Sequence, residues 1–240
     1  MAAKETRVTD VKVVGFDADD TLWENENHFQ EAERRYAALL SPFAEAASVS
    51  AELFRTETGN IAIYGYGVKS FTLSMVETAV RISGGAVPAR VVGEVLELGK
   101  GLLTMPVILL PGVEETLAAL KERFRLVLVT KGDLVDQESK LARSGLEGFF
   151  HHIEIVSEKD ESNYRSLLRH LDLRPEQFVM VGNSLKSDIL PVIRFGGYGI
   201  HIPFHATWQH EKVDEADVPK ERLLAARSIR EVPGLLGSRA

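Results

Sequence analysis

Hydrophobic and polar residues along this chain follow two patterns, one typical of buried strands and the other of amphipathic helices. Short apolar runs bounded by turn-forming residues alternate with segments whose apolar residues recur at helical spacing. Near-continuous apolar strands separated by helices are typical of a parallel sheet covered on both faces, so we predict an α/β fold with a Rossmann-like sheet. The predicted strands are 11–16, 125–130, 152–156, 177–182 and 198–202, and the predicted helices are 113–122, 133–144, 161–171 and 186–195.

A long helical stretch interrupts this alternation after the first predicted strand. Between Glu24 and Leu103 no segment has a strand pattern, whereas apolar residues recur at helical spacing in four segments. The second of these, 51–58, is predicted to end at Gly59, and Pro88 is predicted to open the fourth. We therefore predict two domains: an α/β core formed by residues 1–22 and 105–240, and a four-helix domain formed by residues 23–104.

Composition excludes several classes of protein and site. The chain has 240 residues, a formal net charge of -7 and no cysteine, which excludes disulfides, zinc–thiolate sites and a cysteine nucleophile. It has no polybasic run, so nucleic acid and anionic membranes are not expected as partners. The first residues are charged without an apolar segment, and the longest uncharged stretch, 101–113, is too short to span a bilayer. We therefore expect a cytoplasmic protein.

Two aspartates directly follow the first predicted strand. Asp17 and Asp19 are two positions apart, so a strand conformation would point both side chains to the same side. Carboxylates this close repel each other unless a cation lies between them or one is protonated. The arrangement indicates metal-assisted phosphoryl transfer, with one carboxylate as nucleophile and the other as proton shuttle, although an Asp-rich strand end can also simply cap a turn.

Further polar residues follow the ends of the later predicted strands. Thr130 ends the second strand, Lys159 follows the third, and Asn183 follows the fourth, with Asp188 five residues later. In a parallel sheet these ends share the edge at which ligands bind in open α/β folds. Read singly, Thr130 could be a helix cap, Lys159 a solvated surface lysine, and the other two a turn and an exposed helix position. Their order at successive strand ends favours a common site.

This order of motifs resembles that of the haloacid dehalogenase superfamily in its phosphatase form. The family pattern is a strand ending in Asp-x-Asp-x-Thr, a strand ending in Thr or Ser, an isolated Lys, and an acidic loop after a further strand. The chain supplies these as residues 17–21, Thr130, Lys159 and residues 182–188. The resemblance covers the whole chain, and it implies that the four-helix segment is the α-helical cap of that family.

The resemblance implies a role for each residue of the first and fourth motifs. Asp17 would attack phosphorus and form an aspartyl-phosphate, and Asp19 would act as general acid and then as general base. Mg²⁺ is the implied cofactor, bound by Asp17, the backbone carbonyl of Asp19, Asn183 and Asp188. The implied function is a Mg²⁺-dependent phosphatase that hydrolyses a small phosphorylated metabolite.

Two positions depart from the family pattern. Asn183 stands where the first acidic residue of the fourth motif is usual, and its amide oxygen can bind Mg²⁺ but carries no charge. Lys131 follows Thr130 where a small or amide residue is common. With Thr130 and Lys159 it is a candidate for binding the phosphoryl oxygens; the alternative is an ion pair with Asp133 or a neighbour.

Other functions remain open from the sequence. A 2-haloacid dehalogenase would also use Asp17, but halide leaves without a proton, so the acid at position 19 argues against it. A phosphotransferase or a phosphonate hydrolase of the same superfamily is a further alternative, the latter with Lys69 as a candidate cap lysine. A catalytically silent binding module is disfavoured by the complete set of motif residues.

Two other clusters have simpler explanations than a second site. Residues 64–69, with two tyrosines, two glycines and Lys69, are either a specificity loop or a helix–helix connection with buried tyrosines. A group of three histidines and a glutamate follows the last predicted strand, but its spacing fits no helical metal pair, so no second metal site is expected there. This group consists of His201, His205, His210 and Glu211.

Overall fold

The computed structural model describes residues 10–214 and 218–237, which form two compact units. The first unit contains the described residues up to Glu24, Val107–Lys131, and the described residues from Lys140 onward. The second unit contains Asn25–Pro106 and also Gly132–Ser139. The N-terminal residues on which the absence of a leader was predicted lie outside the described residues.

The first unit is built on a six-stranded sheet within the described residues, in the order β3-β2-β1-β4-β5-β6. Every neighbouring pair is parallel, so the predicted α/β fold with a parallel Rossmann-like sheet is confirmed. The order reverses beside β1, which pairs with both β2 and β4. The strands are β1 Val13–Phe16, β2 Arg125–Lys131, β3 His152–Val156, β4 Phe178–Gly182, β5 Tyr198–His201 and β6 Leu223–Ala225.

The sequence predicted five of these strands to within about two residues and missed β6. Strand β6 has three residues and is partly exposed, so it lacks the buried apolar run that marks the others. It pairs with β5 at the edge of the sheet.

Helices connect the strands of the first unit: α5 Val113–Lys121, α6 Leu134–Ser144, α7 Glu161–His170, α8 Leu190–Arg194 and α9 Val232–Leu235. The first residues of α6 belong to the second unit. The predicted helix 186–195 is only partly α-helical, because it begins with a π-helical turn, Leu185–Ile189, before α8. This turn carries Asp188 and is therefore part of the site described below.

Two apolar layers cover the faces of the sheet. Val14 and Phe16 of β1 are fully buried in one layer, which includes residues of α5. Val13 packs in the other layer with residues of α7 and α8. Alternate residues of β1 therefore serve opposite faces, which is the period-two pattern of a strand buried on both sides. Asp17 continues directly from this buried strand.

The second unit contains four helices and has its own core. Its helices are α1 Glu26–Leu39, α2 Ala46–Tyr64, α3 Val68–Ile82 and α4 Ala89–Thr104. Buried residues of all four helices form one cluster, in which the Tyr36 hydroxyl donates to the backbone oxygen of Met75 at 2.7 Å. Among the described residues, no helix combines the length and the apolar composition needed to cross a membrane.

The predicted end of α2 at Gly59 is wrong. The helix continues through Gly59, where an added Cβ would meet no atom within 4 Å, and it ends at Gly65 with φ +71°. A single glycine inside a helix costs about 1 kcal/mol, which tertiary packing overrides, whereas a left-handed φ ends the helix. Residues 65–67 are a helix–helix connection, but Tyr64 is 50% exposed, so the expectation that its tyrosines are buried is wrong for Tyr64.

Candidate active site

The carboxyl ends of the three central strands bring together most of the residues that the sequence selected. Asp17 follows β1, Thr130 lies at the end of β2, and Asn183 follows β4. The order of strands reverses between β1 and β4, and ligands bind at such switch points in open α/β sheets. The backbone N–H of Asp17 donates to the Val181 oxygen at 2.9 Å, which connects the first motif to strand β4.

Asp17 is a buried carboxylate with two side-chain partners. Its Oδ1 forms an ion pair with the Lys159 ammonium group, and its Oδ2 accepts a hydrogen bond from Thr21 Oγ1 at 3.1 Å. Burial is the largest influence on this group, and together with the charge of Asp188 it raises the pKa of Asp17 to about 7 despite Lys159. Burial therefore favours the neutral form of Asp17 more than Lys159 favours its carboxylate.

Lys159 is shared between two carboxylates. Its Nζ lies 2.7 Å from Asp188 Oδ1 in addition to its contact with Asp17, and both carboxylates raise the pKa of this ammonium group against the effect of burial. Lys159 is 4% exposed, so its alternative interpretation as a solvated surface lysine is wrong. A buried ammonium group between two carboxylates is a strong electrostatic centre at this edge of the sheet.

The loop after β4 is built around Asp188. Ser184 caps the π-helical turn by accepting a hydrogen bond from the Ser187 N–H, and the Ser184 N–H donates to Asp188 Oδ2 at 2.9 Å. A Cβ at position 182 would lie 2.2 Å from Asp188 Oδ2, so glycine is required for the carboxylate to approach the strand end. Asp188 is 1% exposed, so its interpretation as an exposed helix residue is also wrong.

Thr21 connects the first and fourth motifs. Its Oγ1 accepts a hydrogen bond from the Asn183 N–H at 3.1 Å and lies 3.1 Å from Asp17 Oδ2 and 3.3 Å from Asn183 Oδ1. One hydroxyl proton can serve only one of these two oxygens at a time. The Asn183 amide oxygen therefore lies close to the same threonine as the Asp17 carboxylate.

Thr130 is buried with an unused hydroxyl. It is 1% exposed, and its Oγ1 has no hydrogen-bond partner among the described residues. The alternative that Thr130 caps the next helix is therefore wrong. A buried hydroxyl left without a partner costs about 1–3 kcal/mol, and a bound oxyanion at the strand end would supply the missing acceptor.

Asp19 is held by two side chains that the sequence did not select. Lys140 Nζ of α6 lies 2.6 Å from Asp19 Oδ1 and 2.8 Å from Oδ2. Trp23 Nε1 donates to Asp19 Oδ1 at 2.7 Å. The ring nitrogen and the ammonium group therefore determine where this carboxyl group points.

Lys131 forms an ion pair with Glu211, a partly buried carboxylate beyond β5. Its Nζ lies 2.7 Å from Glu211 Oε1, 3.1 Å from Ser187 Oγ and 3.5 Å from Glu158 Oε1. Glu211 also accepts hydrogen bonds from Ser184 Oγ at 2.6 Å and Ser187 Oγ at 2.5 Å. The ion-pair alternative for Lys131 is thus present, with Glu211 as a partner that the sequence did not identify.

Glu211 stays charged because its donors outweigh its burial. Burial would raise the pKa of this carboxyl, but Lys131 and the hydroxyls of Ser184 and Ser187 lower it to about 2. The residue lies in a short helical turn, Gln209–Glu211, beyond β5. It therefore joins the end of β2 to the loop that carries Asp188.

The three histidines near Glu211 have separate contacts. His201 Nε2 lies 3.0 Å from the backbone oxygen of Asn183, and His210 Nε2 lies 3.1 Å from Lys186 Nζ. The His205 ring packs against Phe204. Over residues 10–214 and 218–237, no three His, Cys, Asp or Glu side chains are grouped so as to hold a metal ion.

The oxygen donors near Asp17 nevertheless fit Mg²⁺. Asp17 and Asp188 provide two carboxylates that share Lys159, and Asn183 Oδ1 lies 3.3 Å from the Thr21 hydroxyl that also contacts Asp17. These oxygens are of the hard type that Mg²⁺ prefers. Burial, followed by the charge of Asp188, raises the pKa of Asp17 more than Lys159 lowers it. An added divalent cation would correct this imbalance.

The sequence missed Lys140, Trp23 and Glu211 as partners in the site. Lys140 lies on a helix face and Glu211 lies about eighty residues after the lysine it contacts, as the sequence positions show. Of these three residues, Trp23 alone is close to its partner in sequence: it is a large apolar residue four positions after Asp19. Contacts of this kind depend on how the elements pack rather than on local spacing.

Comparisons with known proteins agree with this architecture. A profile of the haloacid dehalogenase-like hydrolase family matches residues 11–196. A crystal structure of a haloacid dehalogenase-like family hydrolase from Xanthomonas campestris superposes with a TM-score of 0.84 at 39% identity, covering 98% of this chain and 94% of that one.

Two relatives are phosphatases by name. A glyceraldehyde 3-phosphate phosphatase of Methanopyrus kandleri is 29% identical over 232 residues, which are 92% of this chain and 97% of the relative. An N-acylneuraminate-9-phosphatase of Mus musculus is 27% identical over 190 residues, 75% of this chain and 77% of its own length.

Proposed function

Because the chain belongs to the haloacid dehalogenase-like hydrolases, we propose that it is a Mg²⁺-dependent phosphatase that forms an aspartyl-phosphate on Asp17. The observation that carries this proposal is the buried triad in which Lys159 bridges Asp17 and Asp188, with the Asp19 carboxyl two residues from the nucleophile. A nucleophilic carboxylate, a second carboxyl for proton transfer and a fixed cation are the groups that this chemistry needs.

In the first half of the reaction an oxygen of Asp17 attacks phosphorus, and the bond between phosphorus and the ester oxygen breaks. Asp19 gives its proton to the departing oxygen, which leaves as an alcohol. Lys159 and the unused hydroxyl of Thr130 would hold the oxygens of the transferring phosphoryl group. The product of this half is an aspartyl-phosphate at Asp17.

In the second half Asp19, now a carboxylate, takes a proton from a water molecule. The water oxygen attacks phosphorus, the bond to the Asp17 oxygen breaks, and inorganic phosphate and the original carboxylate result. Trp23 Nε1 and Lys140 Nζ both contact Asp19 Oδ1. At the end of the cycle Asp19 is protonated again and Asp17 is again a carboxylate.

Mg²⁺ would be held by Asp17, Asn183 and Asp188 together with the backbone carbonyl of Asp19. When bound, it supplies positive charge that offsets the repulsion between Asp17 and an incoming phosphate dianion. Because Asn183 is neutral, only two of these side chains contribute charge, and we expect weaker Mg²⁺ binding than in an Asn183→Asp variant.

Lys131 is the third candidate for binding the phosphoryl oxygens. Lys131 forms an ion pair with Glu211, so it would add less to phosphate binding than Lys159. Lys159 is in direct contact with the nucleophile Asp17 and with Asp188. We therefore expect Lys131→Met to change KM less than Lys159→Met does.

The substrate class that we propose is a small phosphate monoester of a primary alcohol. Glyceraldehyde 3-phosphate and N-acylneuraminate 9-phosphate, which appear in the names of two relatives, are both esters of this kind. An alkoxide of a primary alcohol is a poor leaving group and needs a proton donor, which is the role given to Asp19.

The test is hydrolysis of p-nitrophenyl phosphate, with Mg²⁺ and with EDTA, by the wild-type chain and Asp17→Asn. We expect turnover only with Mg²⁺ and with Asp17 intact, and unchanged turnover in Asp172→Asn, the same substitution at an exposed aspartate. Mg²⁺-independent release of chloride from 2-chloropropionate, without phosphatase activity, would instead establish a dehalogenase.

A further inference from the structure

Lys140 forms an ion pair with Asp19, the proposed proton donor. Its Nζ lies within 2.8 Å of both carboxyl oxygens of Asp19, and its side chain is 13% exposed against 22% for Asp19. The pair lies at the border of the site rather than deep in the core. Neither residue belongs to the Asp17–Lys159–Asp188 triad.

We propose that Lys140 is a positioning residue that, with Trp23, fixes the carboxyl group of Asp19 for proton transfer and so determines how well the site expels poor leaving groups. This inference rests on the proposed phosphatase function. It adds a residue of α6 to the reaction without placing it in contact with the substrate.

Both anchors of Asp19 are themselves rigid. Trp23 is 1% exposed, and its backbone oxygen accepts a hydrogen bond from the Asp20 N–H at 2.7 Å, which closes the loop around Asp19. Lys140 precedes Leu141, which is 3% exposed and packs in the main core, so this part of α6 is fixed against the sheet. The carboxyl group is therefore contacted from two segments, and the buried residues Trp23 and Leu141 of these segments belong to the same core cluster.

The position of the Asp19 carboxyl group matters because proton transfer needs one of its oxygens within hydrogen-bond reach of the leaving group. A free aspartate side chain samples several rotamers, and a misplaced donor loses much of the about 10²–10⁴-fold that general acid catalysis contributes. Contact of one ammonium group with both oxygens restricts rotation of the carboxyl plane. Trp23 donates to one of the same oxygens and restricts it further.

The ammonium group also has an opposing effect, because a nearby positive charge favours the carboxylate over the carboxylic acid. The proposal requires that the gain from positioning exceeds this cost in the first half of the reaction. Removal of the Lys140 charge distinguishes the two effects. If positioning dominates, expulsion of a poor leaving group becomes slower. If stabilisation of the carboxylate dominates, expulsion becomes faster, because Asp19 then holds its proton more readily.

The experiment compares kcat/KM for p-nitrophenyl phosphate with kcat/KM for the alkyl phosphate that the wild-type chain hydrolyses best, starting with glyceraldehyde 3-phosphate. The aryl leaving group departs with little help from an acid, whereas the alkoxide needs it. For Lys140→Met we expect about a 10–100-fold loss on the alkyl phosphate and less than about a threefold loss on the aryl phosphate. The ratio of the two values is independent of how much of the variant is folded.

Two further variants separate positioning from a structural effect. Lys140→Arg keeps the positive charge and can donate to both carboxylate oxygens at once, so it should recover most of the alkyl phosphate activity. In an Asp19→Asn background, Lys140→Met should cause no further loss, since a residue that acts only through Asp19 has nothing left to position.

Equal losses on both substrates, no loss on either, or a gain on the alkyl phosphate would overturn the role of Lys140 while leaving the phosphatase function standing. An additive loss in the Asp19→Asn background would do the same. Absence of any turnover by the wild-type chain would instead overturn the phosphatase function, and this inference with it.

Discussion

The two units of the molecule remove carboxyl groups from water in different ways. In the α/β unit, Glu211 is surrounded by an ammonium group and two hydroxyls, which outweigh burial and lower its pKa to about 2. In the helical unit, Glu57 is also largely removed from water, but the charges that act on it come from Glu33 and Glu26, and burial together with these raises its pKa to about 8. One carboxyl is therefore kept charged and the other is made neutral.

The difference shows that donors, and not burial alone, decide the charge of a carboxyl group. Asp17 lies between the two cases, because it has an ammonium partner but must share Lys159 with Asp188. Its pKa of about 7 places it where one additional positive charge would make it a carboxylate at neutral pH. This intermediate pKa is consistent with the proposal that Mg²⁺ supplies a further positive charge beside Asp17.

The largest effect is expected from Lys159→Met, which removes the cation shared by Asp17 and Asp188. Asp17 would then face another carboxylate without this ammonium partner, and the charges that act on Glu57 are likewise those of carboxylates. Two buried carboxylates would then face each other, and no ammonium group would stabilise the transferring phosphoryl group. We expect kcat for p-nitrophenyl phosphate to fall by about 10²–10³-fold. Lys121→Met, at an exposed lysine of α5, is the control, and a fall of less than threefold in Lys159→Met would contradict this account.

A large effect on stability is expected from Glu211→Gln, which leaves the Lys131 ammonium group without its main partner. The pair is partly buried, and Lys131 keeps contacts with Ser187 and Glu158, so we expect a loss of about 1–3 kcal/mol in the free energy of unfolding at pH 7, measured in urea. The double variant Glu211→Gln/Lys131→Met should recover much of it. Glu221→Gln, at an exposed position, should change stability by less than about 0.5 kcal/mol.

The pH dependence of this loss follows from the lowered pKa of Glu211. An acid whose pKa is lower in the folded state stabilises the fold above its unfolded value, here 4.5, and this stabilisation disappears as the pH falls towards about 2. The difference between wild type and Glu211→Gln should therefore shrink between pH 4.5 and pH 2. A difference that stays constant over this range would show that the charge of Glu211 is not its cause.

A smaller effect of opposite sign is expected from Glu57→Gln in the helical unit. Its pKa is raised from 4.5 to about 8, so the unfolded chain releases the proton first and stability falls as the pH rises through this range. The substitution should increase the free energy of unfolding by about 1–3 kcal/mol at pH 8 and leave it unchanged near pH 4.5. Destabilisation at pH 8 would mean that Glu57 is stabilised as a carboxylate after all.

The smallest effect is expected from Lys69→Ala, which removes the exposed ion pair with Asp133. The two ammonium–carboxylate distances are 2.9 and 3.0 Å, but the lysine side chain is 54% exposed. Exposed pairs contribute about 0–1 kcal/mol, so the midpoint of urea unfolding should move only slightly and less in high salt. A loss above 2 kcal/mol would show that exposure is a poor guide to the strength of pairs in this unit.

The fold could be predicted from the sequence because its signals are local. Buried strands such as Arg125–Lys131 are continuous apolar runs, and the helices between them have clear periodicity. Two predictions from the sequence failed for physical reasons. Gly59 was expected to end a helix but is tolerated within α2, and β6 has too few buried residues to be recognised. The π-helical turn at Leu185–Ile189 is set by the Ser184 cap and by Asp188, not by periodicity.

The candidate site could be predicted only in part. Asp17, Thr130 and Asn183 follow from the rule that parallel strand ends share an edge, and the structure places all three there. Lys140 and Glu211 could not be found in this way, because each reaches its partner through tertiary packing across a large sequence separation. The residues selected from the sequence have a local signature, whereas Lys140 and Glu211, which contact them, do not.

The central claim is that Asp17 becomes phosphorylated, and the most direct measurement is to trap that species. The wild-type chain is mixed with p-nitrophenyl phosphate and Mg²⁺, quenched in acid within the first turnover, and digested for mass spectrometry. We predict one added phosphoryl group on the peptide containing Asp17, lost on treatment with hydroxylamine and absent in Asp17→Asn. Turnover of the ester with no phosphoryl group on that peptide, or a phosphoryl group on another residue, would contradict the account.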